Sequence, residues 1–395
     1  MLSKKQKQQS AMILDQIYAN GPISRVDLSR KLGITPATTT EITHHLLDRK
    51  VIYEVGEDRD DYQVGRKKIL LDICAQYAYF LGLELYHNFF SMCITDNKGT
   101  VFAQSVFEFS ADDLNEPFTW SHILNAITKF REQNAQYELT AVGFALPGFI
   151  DPENKVIVTD HRFWNSLDLW AFEAAINLPV YFLSMAEGLA TAQRLFTKEA
   201  ALDEYIFLHI RNKIVTSYFK RGKLYETETA YVGELGHTTS NPDGELCTCG
   251  KRGCLQTYSS EDAILRKSKT IYEVTNNSFF HSIVEDKNEI DMDTFIKAYR
   301  LGDDAAATIL KNAMKYLAIS LDNLTMMIDI DHIYVHGTLF NTPEVSDVLK
   351  NSLVENSSPY RKLHRLNYSV VPYEQINGAI GACAHSVREA IILGF

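Results

Sequence analysis

A chain of 395 residues is too long for one ordinary hydrophobic core and predicts two or three domains. Its 46% hydrophobic and 23% charged residues indicate a soluble globular protein, and no apolar run reaches transmembrane length. The net charge of −11 argues against a protein that coats nucleic acid generally. Residues 1–50 nevertheless hold eight Lys/Arg against four Asp/Glu, so this segment is +4 and the remainder −15. A small basic head on a large acidic body fits local contact with DNA.

Residues 1 to about 71 predict a winged helix-turn-helix domain. A first helix ends at Asn20-Gly21-Pro22, and Ser24 caps a second helix that Gly33 ends. Thr35-Pro36 opens a third helix through about Arg49. We expect the second helix to turn three apolar residues inward: Val26, Leu28 and Leu32. Strands at 51–55 and 63–72, around an acidic tip at 57–61, form the wing.

The third helix is expected to enter the major groove with its N-terminal residues toward base edges. The residues off its apolar stripe that we expect to read bases are Thr38, Thr40, Glu41 and His44. Basic residues expected at phosphates, which fix register without reading sequence, are Arg25, Arg30, Lys31, Arg66, Lys67 and Lys68. The alternative for any one of the base-reading residues is a solvated helix face.

The remaining chain carries both strand and helix patterns, as an α/β body would. The strands expected from apolar runs lie at 79–85, 89–95, 140–145, 205–210, 215–220 and 330–335. Helices are expected at 121–134 and 303–328, the second long and amphipathic, and a closing helix begins near Gly378.

The most specific stretch is GELGHTTSNPDGELCTCGKRGCLQ, residues 233–256. Its potential metal ligands are His237, Cys247, Cys249 and Cys254, and such a three-Cys, one-His set closes a structural zinc site. Gly250 and Gly253 allow the tight backbone between the thiols. The alternative is three buried thiols and an unrelated His. Clustered cysteines, and an N-terminus without the apolar core of a signal peptide, predict a reducing cytoplasmic location.

The GELGH and CTCGKRGC runs resemble the signature of the ROK family, a group of bacterial sugar kinases and sugar-responsive repressors. ISRVDLSRKLGITPATTTEITHHLL at 23–47 and VGRKKILL at 64–71 resemble the DNA-binding head of the repressor branch, to which xylose and N-acetylglucosamine repressors belong. GFALPGFID at 143–151 resembles the family's proline-glycine loop.

The resemblance implies a winged helix-turn-helix at 1–71 followed by a two-lobed, actin-like and hexokinase-like body of the ribonuclease H-like type. Its first lobe spans 72–190 and is closed by the C-terminal helix at 375–395. Its second lobe, 191–374, carries the zinc knuckle.

Four features of ROK kinases are missing from the sequence. Where the kinase strand is followed by an Asn-Asp-Ala-Asn run, this chain has Ser184-Met185-Ala186-Glu187, and methionine cannot serve as a general base. Tyr86 replaces a phosphate-loop glycine, the turn at 211–213 has no glycine, and His336 replaces a glycine of the adenosine site. The residues therefore predict a catalytically dead kinase body and no enzymatic activity.

The resemblance also assigns a ligand site. It makes Glu234 a sugar contact through charge-assisted hydrogen bonds, and it makes His237 both a zinc ligand and a neighbour of the sugar. Gln256 stands where the family has Glu, and Trp164 falls in the segment that lines the sugar pocket, unless it is simply a core aromatic.

The reading that explains most of these features is a cytoplasmic, nucleoid-associated bacterial repressor. We expect it to bind palindromic double-stranded operator DNA as a homodimer or tetramer, to hold structural Zn²⁺ and to sense a sugar such as xylose. The alternatives are a DNA-binding regulator whose body binds a protein partner or no small ligand, and an active ATP-dependent sugar kinase.

Overall fold

The computed structural model describes residues 3–57, 68–109, 120–151, 154–159, 164, 167–197, 201–225, 232–276, 278–330, 332–356 and 366–394. The chain divides into two compact units. Unit 1 comprises Met1–Leu202 with Gln375–Phe395, and unit 2 comprises Asp203–Glu374. Among the described residues, no helix combines the length and apolar character needed to span a bilayer.

Unit 1 begins with a winged helix-turn-helix. Its elements are α1 (Lys4–Asn20), β1 (Ile23–Ser24), α2 (Arg25–Leu32), α3 (Pro36–Asp48), β2 (Ile52–Glu57) and β3 (Ile69–Ile73). The three strands form an antiparallel sheet in the order β1-β3-β2. The predicted caps are confirmed, because the Ser24 hydroxyl accepts from the Asp27 amide at 3.1 Å and the Thr35 hydroxyl from the Thr38 amide at 3.3 Å.

The prediction for the second helix was wrong at one residue. Leu28 is fully buried and Gly33 ends the helix with φ +64°, but the Val26 side chain is 60% exposed. Residues 26 and 28 lie about 200° apart around a helix, so only one of the two can face the core. Of the acidic tip predicted at 57–61, residues 58–61 lie outside the described residues. The second wing strand, predicted at 63–72, is observed over Ile69–Ile73, and 63–67 are not described.

The rest of unit 1 is a five-stranded mixed sheet with helices. Its elements are β4 (Tyr79–Leu85), β5 (Phe89–Asp96), β6 (Val101–Glu108), α4 (Trp120–Gln133), β7 (Leu139–Leu146), β8 (Phe149–Asp151), β9 (Val156–Val158), α5 (Leu169–Ile176), β10 (Val180–Ser184), α6 (Met185–Leu195) and α13 (Asn377–Val387), which continues as a π-helix over Arg388–Leu393. The strand order is β10-β7-β4-β5-β6. The β10–β7 and β7–β4 pairs are parallel and the two hairpin pairs are antiparallel.

Unit 2 repeats this strand arrangement. Its elements are β11 (Tyr205–Ile210), β12 (Ile214–Lys220), β13 (Lys223–Leu224), α7 (Gln256–Ser259), α8 (Glu261–Val274), α9 (Phe280–Ile283), α10 (Met292–Arg300), α11 (Asp304–Met327), β14 (His332–His336), α12 (Pro343–Asn356) and β15 (Tyr368–Val371), with short 3₁₀ turns at Leu235–His237, Lys287–Glu289 and Thr338–Asn341. The strand order is β13-β12-β11-β14-β15. As in unit 1, the first three strands in the chain pair antiparallel, and the last two add parallel strands on the other side of the first. Such a repeat is what the actin-like body requires.

One apolar core in unit 1 joins the winged helix to the larger sheet. Ile13 and Ile17 of α1 belong to the same buried cluster as Phe80 of β4 and Val387 of α13. The α13 backbone lies against β4 and β7 so closely that a Cβ on Gly82 would stand 1.9 Å from the Ala379 carbonyl oxygen. The winged helix is therefore packed on the larger sheet and on α13 of unit 1 rather than attached by a loose linker.

Candidate functional site

Helix α3 has the polar face expected of a recognition helix. Ile42 and Leu46 are fully buried, which confirms the predicted apolar stripe. Of the four residues expected to read bases, Thr40, Glu41 and His44 are exposed and Thr38 is half-buried. These four side chains therefore share the outer part of the helix, while the stripe holds it to the rest of the head.

Each of these four polar side chains has a partner within the head, and the Thr38 hydroxyl lies 2.9 Å from the Thr35 hydroxyl. The Thr40 hydroxyl donates to the Pro36 carbonyl oxygen at 2.8 Å, which leaves its lone pairs available as acceptors. The Glu41 carboxylate accepts from Nε2 of Gln6 at 2.9 Å, so α1 holds one base-reading candidate in place. His44 Nε2 lies 3.7 Å from the Asp48 carboxylate, a contact that attracts only when the ring is protonated.

Some of the basic residues expected at phosphates already have acidic partners within the head. Arg25 Nη2 pairs with Glu54 of the wing at 2.9 Å, and Arg25 Nε donates to the Thr43 hydroxyl at 3.0 Å. Arg25 therefore already ties α2 to α3 and to β2, a role that the sequence pattern did not show. Lys68 pairs with Asp27 at 3.3 Å, whereas Arg66 and Lys67 lie outside the described residues.

The predicted metal ligands converge in unit 2. One ligand atom from each of His237, Cys247, Cys249 and Cys254 lies within 4.8 Å of all the others. The Sγ atoms of Cys249 and Cys254 are 3.6 Å apart, and Cys247 Sγ lies 3.6 Å from His237 Nδ1. Tetrahedral ligands on one zinc ion would be separated by about 3.8 Å for two sulfurs and about 3.6 Å for sulfur and nitrogen. The residues present thus fit such an ion.

The loop that carries the thiols is held by its own backbone. The Cys247 amide donates to the Lys251 carbonyl oxygen at 2.7 Å, and Gly250 and Gly253 take positive φ of 87° and 63°. A Cβ on Gly253 would stand 1.4 Å from the Asn241 carbonyl oxygen, so only glycine fits there. The expected role of these glycines is confirmed.

Burial raises the pKa of the Cys254 thiol to about 12, and the neighbouring Cys249 and Cys247 thiols act in the same direction. A bound cation would reverse this effect, because it favours the thiolates that a zinc site requires.

Two expected ligand contacts lie beside this Cys/His cluster. The Glu234 carboxylate is 3.9 Å from His237 Nε2, the ring nitrogen on the opposite side from Cys247. Both side chains keep about a quarter of their surface exposed, with values of 27% and 23%. His237 can therefore serve the cluster through Nδ1 and a small molecule through Nε2, in line with the double role that the resemblance implies.

Gln256 is the third expected contact in unit 2 and occupies the first turn of α7. Its Oε1 atom is buried and has no hydrogen-bond donor among the described residues. A buried acceptor without a donor is costly, so a ligand hydroxyl or amide N–H that reached Gln256 would bind favourably. Gly236 makes room for this amide, because a Cβ there would stand 2.8 Å from Oε1.

Trp164, the fourth expected contact, belongs to unit 1, where only 3% of its surface is exposed and it packs in the same cluster as Leu169 and Phe172. Its position accords with the core-aromatic alternative. A ligand contact of its ring stays a prediction.

The positions that correspond to kinase catalytic residues hold different structures. Met185 is the first residue of α6, and the Glu187 carboxylate accepts from the Ser184 amide at 3.0 Å within a capping box. Glu187 therefore caps the helix and does not offer a free base in place of Met185. Tyr86 is 7% exposed and stacks on Phe89 at 5.1 Å, which fills the turn where the kinases need glycine.

Unit 2 holds a buried polar cluster that the sequence reasoning missed in part. Nδ1 of His336 lies 2.8 Å from Nδ1 of His209, since parallel pairing of β11 and β14 places the two residues side by side. Burial lowers the pKa of His209 well below its usual range, and His336 contributes in the same direction. Arg211 pairs with Glu261 at 3.3 Å and lies over the Tyr373 ring at 4.5 Å. These contacts hold Arg211 in the turn at 211–213. The sequence signal for the buried pair was a histidine inside the apolar run YIFLHI.

Comparison with known proteins agrees with this architecture. The ROK family model matches residues 80–388, and a MarR family model matches residues 7–54. The chain is 25% identical over 372 residues to the xylose repressor of Bacillus subtilis, covering 93% of this chain and 88% of the relative. It is also 25% identical over 392 residues to the transcriptional repressor Mlc of Escherichia coli, covering 97% and 92%.

Solved structures show the same fold. A ROK family transcriptional regulator described as a homologue of Escherichia coli Mlc superposes with a TM-score of 0.77 at 22% identity, covering 99% of this chain and 98% of that one. A ROK family glucokinase from Streptomyces griseus, in complex with glucose and AMPPNP, gives a TM-score of 0.65 at 20% identity over 78% of this chain and 98% of the kinase. Because the family model covers most of the sequence, this chain belongs to the ROK family.

Proposed function

We propose that this ROK protein is a DNA-binding transcriptional repressor that responds to a sugar or a sugar-derived effector. The observation that carries the proposal is the winged head, in which α3 exposes Thr40, Glu41 and His44 on a helix whose opposite face is buried. Relatives of nearly full length, named as a xylose repressor and as Mlc, support it.

Binding to DNA is proposed to use two copies of the head. A homodimer, or a tetramer built from two dimers, would place two α3 helices on a palindromic operator about one helical turn apart. Thr38, Thr40, Glu41 and His44 would read base edges, and Arg25, Arg66 and Lys67 would contact phosphates. For Arg25 this requires that its pair with Glu54 leave one guanidinium edge available. Such a repressor would work in the cytoplasm, at the nucleoid.

The effector is proposed to bind at Glu234 and His237, with Gln256 as a third contact and Trp164 near the segment that lines the sugar pocket in the family. A carboxylate that can accept two hydroxyl hydrogen bonds, next to an imidazole and a buried amide acceptor, suits a polyhydroxylated neutral ligand. Met185 and Gln256 each replace an acidic residue of the ROK kinases. Without these two carboxylates, the site offers fewer charge-assisted hydrogen bonds than a ROK kinase makes.

Zinc is proposed as the resident metal of the four-ligand cluster. Three thiols and one imidazole form a closed structural set, and such an ion would hold the loop that presents His237 and Glu234. The ion would carry out no chemistry. The proposed domain limits remain 1–71 for the head, with body lobes at 72–190, closed by 375–395, and at 191–374.

A kinase activity is disfavoured by several positions together. Met185 cannot accept a proton, Glu187 caps its own helix, and the buried side chains of Tyr86 and His336 stand where glycines normally admit the nucleotide. Loss of a general base alone costs about 10²–10⁴ in rate. We therefore propose that the body is not an enzyme.

The direct test is a fluorescence-anisotropy titration of the full chain on DNA from upstream of its own gene. It would be run at two salt concentrations and with D-xylose, D-glucose, N-acetylglucosamine and their phosphates. We expect binding about 10³-fold tighter than to random DNA, with one sugar reducing it. Specific binding that no sugar changes would indicate that the body binds a protein partner or no small ligand. Absence of specific binding, even after selection from genomic fragments, would contradict the repressor function.

Loss of the Thr40 or His44 side chain should weaken operator binding selectively. Thr40→Ala and His44→Ala are each expected to cost about tenfold in operator affinity, with little change on random DNA, because base contacts carry the sequence discrimination. Thr308→Ala is the matched control, since Thr308 is also exposed and its hydroxyl also bonds the carbonyl four residues earlier at 2.8 Å. Equal losses of affinity for operator and random DNA would show that Thr40 and His44 contact phosphates and do not read bases.

Removal of one thiol should empty the metal cluster. The purified wild type is expected to hold about one zinc ion per chain. Cys247→Ala should lose nearly all of it, because a structural site needs its four ligands. Metal content by plasma mass spectrometry and melting temperature would be measured together. Cys74→Ala, which alters a free cysteine outside the cluster, is the control. Zinc content like that of the wild type in Cys247→Ala would rule out the site.

Neutralising Glu234 should weaken the response to the effector while leaving DNA binding intact. Glu234→Gln preserves shape but removes the charge that strengthens hydroxyl hydrogen bonds, so the sugar concentration for half-release should rise about tenfold. The control is Glu344→Gln, at an exposed residue of unit 2 paired with Arg300 at 2.9 Å. An unchanged sugar response in Glu234→Gln would place the effector elsewhere.

A further inference from the structure

A buried arginine lies in the last turn of α6, outside the proposed DNA and effector contacts. Arg194 is 1% exposed and is the largest of the fully buried side chains. Its Nε donates to Asp15 Oδ1 at 2.9 Å and its Nη2 to Asp15 Oδ2 at 2.6 Å, while Nη1 donates to the Leu202 carbonyl oxygen at 3.0 Å. This is a two-bond pair between planar groups, which fixes direction as well as distance.

Asp15 belongs to α1, the first helix of the DNA-binding head, so the pair connects residues 179 positions apart in the chain. A second bond in the same region runs from the Ala201 amide to the Ala19 carbonyl oxygen at 3.3 Å. A buried guanidinium is costly to desolvate, and a hydrophobic contact of similar size would hold two helices at least as firmly. What the ion pair adds is a single permitted orientation of α1 on α6.

The other end of α6 begins at Ser184-Met185, directly after β10. This is the segment that the family resemblance aligns with the kinase run around the substrate hydroxyl. Eleven helical residues separate the two ends by about 16 Å. Gly188 of α6 lies against Gly381 of α13, where a Cβ on Gly381 would stand 2.7 Å from the Gly188 carbonyl carbon. Helix α6 is therefore a short rod that packs on α13 and contacts α1 at its far end.

Helix α1 in turn contacts the recognition helix. Gln6, in the first turn of α1, donates to Glu41 of α3 at 2.9 Å, and Ile13, Leu14 and Ile42 share one buried cluster. A continuous set of contacts thus runs from Met185 through Arg194 and Asp15 to the base-reading face of α3.

We propose that the Arg194–Asp15 ion pair is a positioning element for DNA binding. It locks α1, and with it α3, in one orientation on α6, so that a change at the Met185 end of α6 is transmitted to the recognition helix. The proposal rests on the proposed repressor function and adds the residues through which the body acts on the head. Arg194 and Asp15 touch neither DNA nor effector in this scheme.

The competing explanation is that the pair only stabilises the fold, and two kinds of variant separate the explanations. Asp15→Asn keeps the shape but removes the Asp15 charge from the buried guanidinium, so it should lower both melting temperature and operator affinity. The double variant Asp15→Leu/Arg194→Met replaces the pair by apolar groups and should regain a melting temperature near that of the wild type. Glu173→Gln is the control, because it breaks the pair between Lys155 and Glu173 within the same unit.

In the decisive comparison, operator and random-DNA affinities of the stable double variant are measured against the wild type. A positioning role predicts an operator affinity at least about tenfold weaker with random-DNA affinity unchanged, because α3 loses its fixed orientation while its charges remain. If stability and operator affinity both return to wild-type values, the pair is only a fold contact and the proposal is overturned.

A DNA-free measurement keeps this inference separate from the repressor function. Hydrogen–deuterium exchange of Asp15→Asn should be faster than that of Glu173→Gln at both ends of the path, in α1 and at residues 184–190, with β11 of unit 2 unchanged as a reference. Unchanged exchange at 184–190 would overturn the coupling even if the wild type represses. Wild-type protein that shows this coupling but discriminates no operator would instead contradict the proposed function.

Discussion

The buried core that α1 shares with β4 and α13 is the constraint on which the behaviour of unit 1 depends. A DNA-binding head joined by a flexible linker would report nothing about the state of the body, because the linker would absorb any movement. Here Ile13 and Ile17 pack with Phe80 and Val387 in one apolar cluster. Interiors packed in this way are stiff, so small displacements at one side reach the other side as rotations of whole helices. The Arg194–Asp15 pair then specifies which rotation is permitted.

Side-chain packing also fills the turns where the family resemblance places glycines in the kinases. A phosphate-binding turn needs glycines because the backbone must approach the ligand closely, and that openness costs stability in an empty site. This chain fills the corresponding places with side chains that contact each other: Tyr86 stacks on Phe89, His209 pairs with His336, and Arg211 pairs with Glu261. These ring contacts and this ion pair hold the turns together. The glycines at 82, 143 and 253 lie where main chains meet, so the fold needs them.

Local chemistry made much of this structure predictable, whereas long-range pairing did not. Ser24, Thr35 and Gly33 fix helix ends within four residues, and the Cys/Gly spacing at 247–254 fixes the metal loop, so both could be predicted from the sequence. Val26 was assigned inward because two apolar residues were counted without their angular separation. The partners of Arg25, Glu41 and Arg194 could not be predicted, since each lies 18 to 179 residues away. Charge and polarity identify a residue as functional, but only the fold decides what it contacts.

His237 links the proposed metal site to the proposed effector site. One ring nitrogen faces Cys247 and the other faces Glu234, so a ligand on Nδ1 fixes the tautomer and the orientation of Nε2. With an ion on Nδ1, Nε2 would carry the proton, and the ring would donate a hydrogen bond toward Glu234 or toward a hydroxyl that replaces it. Occupancy of the proposed metal site would therefore set the donor and acceptor pattern that an effector at the proposed ligand site meets.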